Sequence, residues 1–363
     1  MKIKSFKIEN SMKIENFKLK IIIACSFILL ISIFIIRPYF LFINKTLKVS
    51  IVKTLLSRNS LKSYDNQVNI LLLGVAGGQH EGPNLSDSIV VINYDLKTNQ
   101  STTISIPRDI WSDTLKDKIN SAYAYGEAKK NGGGFILAKA EVSAIIGLPI
   151  QYAVVIDFDK FKELIDFLGG VEINIDNSFT DKKFPIAGRE NDDCAGDKTY
   201  ACRYETITFT KGLNKMNGET ALKFVRSRNA EGKEGTDFAR EARQQKVIET
   251  VKNKLFASVK KLSLKTYRQL YQLINPLVKR DITNQQIAII LKNIVFKGKI
   301  KQEKIVLDQD FFTNPEVNSP EYDGLWVLIP TDKNFSLIHR YIGCVLENKE
   351  NCDQLKNKSS NNQ

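Results

Sequence analysis

The feature that most restricts this chain is an apolar run near its N-terminus. Residues 21–36 carry no charge, and after Arg37 the apolar character resumes through Pro38, Tyr39, Phe40, Leu41, Phe42 and Ile43. At about 1.5 Å per residue, a helix over 21–43 reaches roughly 35 Å, enough to cross a bilayer with Arg37 snorkelling to the interface. Six lysines (Lys2, Lys4, Lys7, Lys13, Lys18, Lys20) against two glutamates (Glu9, Glu15) precede it. The positive-inside bias therefore predicts a cytoplasmic tail (1–20), a single-pass anchor in the cell membrane (21–43), a linker (44–64) and an extracytoplasmic bulk. A cleaved signal peptide is the competing reading. No small-x-small cleavage pattern follows the run, and Arg37-Pro38-Tyr39 is an unusual exit from one.

With 43% apolar and 26% charged residues in 363, the remainder can bury a core, which excludes disorder, collagen-like repeats and a polytopic membrane protein. The formal charge of +13 is compatible with nucleic acid, a membrane surface or phosphorylated ligands. Cysteine usage agrees with export. Cys194 and Cys202 are eight apart, as are Cys344 and Cys352, all beyond the anchor, and this predicts two local disulfides stapling surface loops. A zinc site is the alternative, but it calls for C-x-x-C spacing with histidine partners, which are lacking.

Beyond residue 65, short apolar runs punctuated by turns predict strands over 68–75, 88–94 and 102–106, the last two forming a hairpin across Lys97-Thr98-Asn99. A helix over 135–146 closed by Gly147, a strand over 152–158, a helix over 161–168 closed by Gly169-Gly170 and a strand over 171–175 follow. The alternation predicts an α/β fold with a mixed central sheet flanked by helices. Further on come a strand over 206–209, a helix capped by Asn217 and a longer one from Asp237 to about Phe256. A core domain over 65–260, with its end placed between 255 and 282, precedes a helical and irregular extension (261–346) and a mobile tail (347–363). In the extension a helix ends near Pro276, and Thr283-Asn-Gln-Gln286 opens another as a capping box.

Three clusters carry potential chemistry. A Gly-rich loop after the first strand lacks the G-K-[ST] of a nucleotide-binding loop, but it leads to Asp87 at a strand entry, where a carboxylate holds Mg²⁺ with waters and phosphate oxygens. Ser105-Ile106-Pro107-Arg108-Asp109 puts a guanidinium at a sheet end, or else makes only a surface pair of Arg108 with Asp109. The third cluster holds Arg226, Arg228, Arg240 and Arg243 within eighteen residues, followed by Gln244. In an extended segment Arg226 and Arg228 share a side, and on a helix Arg240 shares a face with Arg243 and Gln244. Such donors suit a pyrophosphate better than a solvated face, although a charged exposed helix is the bland alternative. Only His80 and His339 occur and there is no G-x-S-x-G elbow, against a serine triad; no helix-turn-helix or RNP pattern supports nucleic acid.

These clusters occur in the order NILLLG, SDS, SIPRD, KINSAYAYG (118–126), DFLGGVEI (166–173), MNGETALKFVRSR (216–228) and R-x-x-R-Q-Q (240–245). In that order they resemble the LytR-CpsA-Psr family over about residues 66–255. The resemblance implies a membrane-anchored, extracytoplasmic α/β phosphotransferase. Such proteins bind a polyprenyl-pyrophosphate lipid in an apolar tunnel and transfer its glycopolymer to peptidoglycan or another envelope acceptor. It further implies that Asp87 helps bind Mg²⁺ and that Arg108, Arg226, Arg228, Arg240 and Gln244 contact phosphate oxygens, with less defined roles for Asp109 and Arg243.

The sequence departs from the family's pattern at Ala76, where many members carry an aspartate, and at Leu85, where they carry an arginine. Three options stay open: Mg²⁺ held by Asp87, phosphates and water alone; His80 or Glu81 taking part; or reduced metal use. A non-catalytic polyprenyl-phosphate or anionic-glycan binding protein and a lipid pyrophosphatase are the competing functions. The charge surplus divides accordingly, since the N-terminal tail carries +4 and residues 223–261 carry +6 around the arginines.

Overall fold

Apolar runs of alternating burial set the architecture. The computed structural model describes residues 20, 23, 25–56, 61–77, 82–189, 191–259, 263–316, 318–332 and 334–357. Most of the expected cytoplasmic tail, together with His80, Glu81 and residues 358–363, lies outside the described residues. The chain divides into two units, Met1–Ser57 and Arg58–Gln363.

In the first unit, helix α1 (Cys25–Thr46) is long and apolar enough to cross a membrane, and its side chains are almost all exposed. It runs to Thr46, three residues past the expected end of the span, and finishes in a π-helical turn over Phe42–Thr46. Helix α2 (Ile51–Leu56) follows.

The second unit is built on a six-stranded mixed sheet. Strands β1 (Gln67–Val75), β2 (Ser86–Asp95) and β3 (Gln100–Ile106) run antiparallel in succession. The β2–β3 turn is closed by Asp95, whose Oδ1 accepts from the Lys97 and Thr98 amides, with Asn99 at φ 62°. Two small strands, β4 (Trp111–Ser112) and β5 (Asp117–Lys118), lead into helices α3 (Ala122–Lys129) and α4 (Gly133–Ile146). Gly147 ends α4 at φ 73°. Strand β6 (Tyr152–Asp157) then pairs parallel to β1, and α5 (Phe158–Phe167) follows directly.

The next elements form a second layer. Strand β7 (Val171–Ile175) pairs with β10 (Gly212–Met216), and β8 (Phe179–Pro185) pairs with β9 (Tyr204–Phe209). Helix α6 (Gly218–Arg226) starts where Asn217 accepts from the Thr220 amide, as its sequence position predicts. Helix α7 (Asp237–Val259) packs against α6 and β7. Phe179, Phe209 and Phe224 stack at centroid distances of 5.1–6.0 Å in the core between these elements.

Residues beyond 260 are not an appendage, which corrects the expected boundary between 255 and 282. After α8 (Leu264–Leu277), strand β11 (Val278–Arg280) pairs with β6. After α9 (Asn284–Lys297), strand β12 (Lys301–Val306) pairs parallel with β3. Both edges of the central sheet therefore come from the supposed extension, in the order β11-β6-β1-β2-β3-β12. Edge strands are half-solvated, so VKR and KQEKIV lack the continuous apolar run that marks an inner strand. The capping box at Thr283 and Gln286 is present as expected.

Strands β13 (Phe312–Thr313) and β14 (Ile329–Pro330) and helices α10 (Ser336–Leu346) and α11 (Gln354–Asn357) complete the fold. Both disulfides form, Cys194–Cys202 and Cys344–Cys352, with Cα separations of 5.6 and 5.7 Å. The second is not a loop staple. Cys344 lies within α10, and Cys352 and Leu355 pack on the main core, so the start of the expected mobile tail is tied down. The disulfide also disposes of the zinc alternative: Asp192 lies near Cys194 and Cys202, but both sulfurs are already bonded to each other.

Candidate functional site

Antiparallel pairing brings the end of β1, the start of β2 and the end of β3 to one edge of the sheet. Gly74 faces Ser88, but Val75 faces Ser86, so Asp87 is the extra residue of a β-bulge. A bulge re-aims the side chain it carries. Asp87 here meets the Arg108 guanidinium in a close ion pair, just past the end of β3. Arg108 Nε lies 3.5 Å from Asp109 Oδ2, and Lys118 Nζ lies 2.8 Å from Asp109 Oδ1. The SIPRD segment therefore presents a relay of alternating charge, in which Asp109 holds Arg108 from behind.

This edge opens into a cavity of about 800 Å³, within the usual size range of small-molecule sites. Asp87, Arg108, Arg226, Arg228, Arg240 and Gln244 all line it, gathered from positions far apart in the chain. Ala76 lines it too, so the position that lacks a carboxylate is part of the same wall. Apolar walls come from α5, α6 and α7, through Phe158, Phe161, Ile165, Leu222, Val225 and Val247. Two glycines make this packing possible. A Cβ on Gly74 would lie 2.4 Å from the Phe158 ring, and one on Gly218 would lie 2.2 Å from the Lys162 carbonyl oxygen, where α6 crosses α5.

Arg226 and Arg228 are not on an extended segment. Arg226 is the last residue of α6, and Ser227 breaks the helix at φ −55°, ψ 130°. The break is held by Asp181 of β8, which is fully buried. Its Oδ2 accepts from Ser227 Oγ at 2.8 Å and from the Arg228 and Asn229 amides at 3.1 Å each. Behind the same turn sits Arg243. Its Nε donates to the Phe224 carbonyl at 3.0 Å, one terminal nitrogen to Ser227 O at 2.8 Å, and the other to Glu234 O at 2.8 Å and Glu234 Oε2 at 3.2 Å. The guanidinium also lies over the Phe179 ring at 4.8 Å.

Arg243 is thus placed apart from the other predicted pyrophosphate ligands. It is 5% exposed, does not line the cavity and spends its donors on the chain that carries Arg226 and Arg228. Burial lowers its pKa, against the opposing charge of Glu234, yet a guanidinium stays protonated. Its contacts make it a brace rather than a phosphate contact: Arg240 and Gln244, four apart on α7, line the cavity, whereas the Arg243 side chain is drawn to the carbonyls of Phe224, Ser227 and Glu234. By contrast, neither Arg226 nor Arg228 makes a side-chain hydrogen bond or ion pair with a described residue. Lys223 and Glu205, also in the wall, pair with each other at 2.7 Å.

Sequence reasoning missed Asp181, Glu234 and the bulge at Asp87. Asp181 sits in a polar stretch, NSFTDKKF, with no motif around it, and a bulge is visible only in the pairing register.

The family model described as the LytR_cpsA_psr family matches residues 41–333. The chain belongs to the LytR-CpsA-Psr family. The match extends well past residue 260, in keeping with the edge strands β11 and β12 being part of the family's fold. Among its relatives is a Bacillus mycoides protein named polyisoprenyl-teichoic acid–peptidoglycan teichoic acid transferase TagU. It is 32% identical over 235 residues, which make up 64% of this chain and 66% of that protein. A Bacillus anthracis protein of the same name is 31% identical over 268 residues, or 73% of this chain and 74% of that one. The fold is shared with two crystal structures. Protein gbs0355 from Streptococcus agalactiae matches with a TM-score of 0.52 and 23% identity, over 78% of this chain and 89% of that one. TagV from B. subtilis matches with a TM-score of 0.50 and 22% identity, over 78% and 99%.

Proposed function

We propose that this LytR-CpsA-Psr protein is a membrane-anchored extracytoplasmic phosphotransferase, moving a glycopolymer from a polyprenyl-pyrophosphate carrier to a cell-wall acceptor such as peptidoglycan. The observation that carries the reading is a single cavity with apolar walls and four arginines, Arg108, Arg226, Arg228 and Arg240, around Asp87. An isoprenoid chain suits the first part and a pyrophosphate the second. The relatives' printed names, which couple a polyisoprenyl-linked polymer to peptidoglycan, support the same donor and acceptor. Helix α1 supports retention at the membrane, and the lysine-rich segment before it supports an N-terminus in the cytoplasm.

In the reaction, an acceptor sugar hydroxyl attacks the phosphorus next to the glycan. A phosphodiester bond forms, the bond to the bridging oxygen breaks, and lipid monophosphate leaves, taking up the proton that the hydroxyl loses. Charge builds on the bridging and non-bridging oxygens, where positioned guanidinium groups stabilise it. Arg226 and Arg228, which have no protein counter-ion among the described residues, hold the pyrophosphate in the ground state. Arg108 exchanges part of its contact with Asp87 for phosphate oxygen as the anion enters.

At the sheet edge of the cavity Asp87 is the lining carboxylate, with Ala76 where a second would be, and this is a donor set for a Mg²⁺ ion shared with substrate phosphates and water rather than caged by protein. Asp87 would hold it, and the ion would supply further neutralisation of phosphate charge.

The test uses the full chain in detergent with Mg²⁺, a polyprenyl-pyrophosphate glycan and peptidoglycan oligomers. Transfer of glycan phosphate to the oligomers is expected, and Arg108→Ala is expected to lower kcat by about 10²–10³-fold, the range for losing one transition-state donor. Phosphate release without acceptor would select a pyrophosphatase, and lipid binding without turnover a binding protein. Full activity in Arg108→Ala would remove that residue from the mechanism.

A further inference from the structure

The relay at the sheet edge continues beyond the cavity. Lys118 Nζ, which pairs with Asp109, also lies 5.9 Å from the ring centroid of Trp326. The backbone fixes this neighbourhood. Leu328 N donates to Asp109 O at 2.9 Å, Trp111 N donates to Leu328 O at 2.9 Å, and Ile110 bridges Leu328 in parallel. Residues 326–328 are therefore stitched to the segment that carries Arg108, and Val327 between them is fully buried, with its carbonyl accepting from Asn314 Nδ2 at 2.8 Å.

Burying Val327 turns Trp326 outward. The residue is 51% exposed, whereas the chain's other tryptophan, Trp111, is 6% exposed and stacked edge-on against Tyr322 at 5.3 Å. A large aromatic group held exposed on rigid backbone forgoes burial worth about 1.5–3 kcal/mol for a large apolar side chain. Tryptophan in such a setting is a characteristic contact anchor. Its flat face suits the C–H face of a pyranose ring, and the Lys118 ammonium stands close by as a donor for ring hydroxyls.

We propose that Trp326, with Lys118 beside it, is a sugar-binding platform that seats an N-acetylhexosamine ring of the glycan substrates at the outer end of the Lys118–Asp109–Arg108 relay. Assigning that ring to the acceptor or the donor rests on the phosphotransfer reading; the platform itself does not. Trp326 does not line the cavity, but Lys118 and Asp109 link it to Arg108, so a ring seated there lies at the outer end of the relay that leads to the proposed pyrophosphate site.

Because the second tryptophan is buried, intrinsic fluorescence reports on the platform without any turnover. Titrating the full chain in detergent with chitotetraose is expected to give a saturable change in tryptophan emission. That change should persist in Trp111→Phe and vanish in Trp326→Phe. In the transfer assay, Trp326→Ala is expected to raise the KM for peptidoglycan oligomers about tenfold, the loss typical of a contact anchor. A rise in the donor KM instead would assign the ring to the donor glycan. Thermal melting of Trp326→Ala at the wild-type temperature would show that folding is intact. Absence of a saturable response to chitotetraose, or an equal response in Trp326→Phe, overturns the platform. A response without transfer keeps the platform and sinks the phosphotransferase reading.

Discussion

The two polar walls of the cavity use the same residue types in opposite ways. On the sheet edge, Arg108 is already engaged by Asp87 and Asp109, and Lys118 by Asp109. That wall is close to neutral before any ligand arrives. On the helical side, Arg226 and Arg228 carry no ion pair to a described residue, and the balancing carboxylate, Asp181, lies buried beneath their backbone. The contrast teaches that arginine count does not measure readiness to bind an anion. Under the proposed function, the helical wall would supply ground-state affinity, and the sheet wall a charge that is released as its partners are exchanged.

The largest way to break this comparison is to remove the brace. Arg243→Ala leaves the Phe224, Ser227 and Glu234 carbonyls and the Glu234 carboxylate without their donor and opens a hole beside Phe179. Breaking a buried, fully bonded charge costs about 3–5 kcal/mol. Chemical denaturation should show a loss of that size, and Arg243→Lys, which cannot reproduce the fork of three carbonyl contacts, should recover only part of it. A stability change under ~1 kcal/mol would mean that the turn at Ser227 is held without Arg243.

A smaller effect is expected at the wall itself. Arg228 is exposed at its side chain, so Arg228→Ala should leave the melting temperature almost unchanged. A hydrogen bond to a charged group contributes about 1.5–3 kcal/mol, so the donor KM should rise by roughly 10- to 100-fold. The matching change on the sheet wall, Arg108→Ala, should fall on kcat rather than on the donor KM. If both variants change the same parameter to the same degree, the two walls do not divide the work.

How much of this was legible beforehand follows from the kind of signal each residue leaves. Strands β1, β2 and β6 are inner strands that carry apolar residues on both faces, so VNILLLGV, SIVVINY and YAVVID announce themselves as apolar runs. Helix α6 announces itself through Asn217. The cavity-lining residues were legible because Arg108, Arg226, Arg228, Arg240 and Gln244 stand in motifs with a recognisable order. What was not legible depends on contacts between distant segments. Asp181 reads as one acid among lysines until β8 is seen passing under Ser227, 46 residues away. The β11 and β12 edges are too short and too polar to register as strands. Arg243 differs from Arg240 only in the direction its side chain leaves α7.

The finest test concerns an ion pair within the helical wall. Lys223 and Glu205 join α6 to β9 at 2.7 Å, with side chains 27% and 36% exposed, so the pair is partly solvated. Such pairs contribute about 0–1 kcal/mol to stability, and Glu205→Gln should barely move the denaturation midpoint. Its consequence for binding has a definite sign. Removing the carboxylate leaves the Lys223 ammonium in the cavity wall without its counter-charge and makes that wall more positive by one unit, so a pyrophosphate should bind more tightly. The gain should be about threefold or less at low ionic strength and should shrink as salt shortens the Debye length. Titration of the full chain with a polyprenyl pyrophosphate at two salt concentrations measures it. Weaker binding in Glu205→Gln would mean that the pair orders α6 against β9 more than it tempers the wall's charge, and the division between a neutral sheet edge and a positive helical wall would need a structural term as well as an electrostatic one.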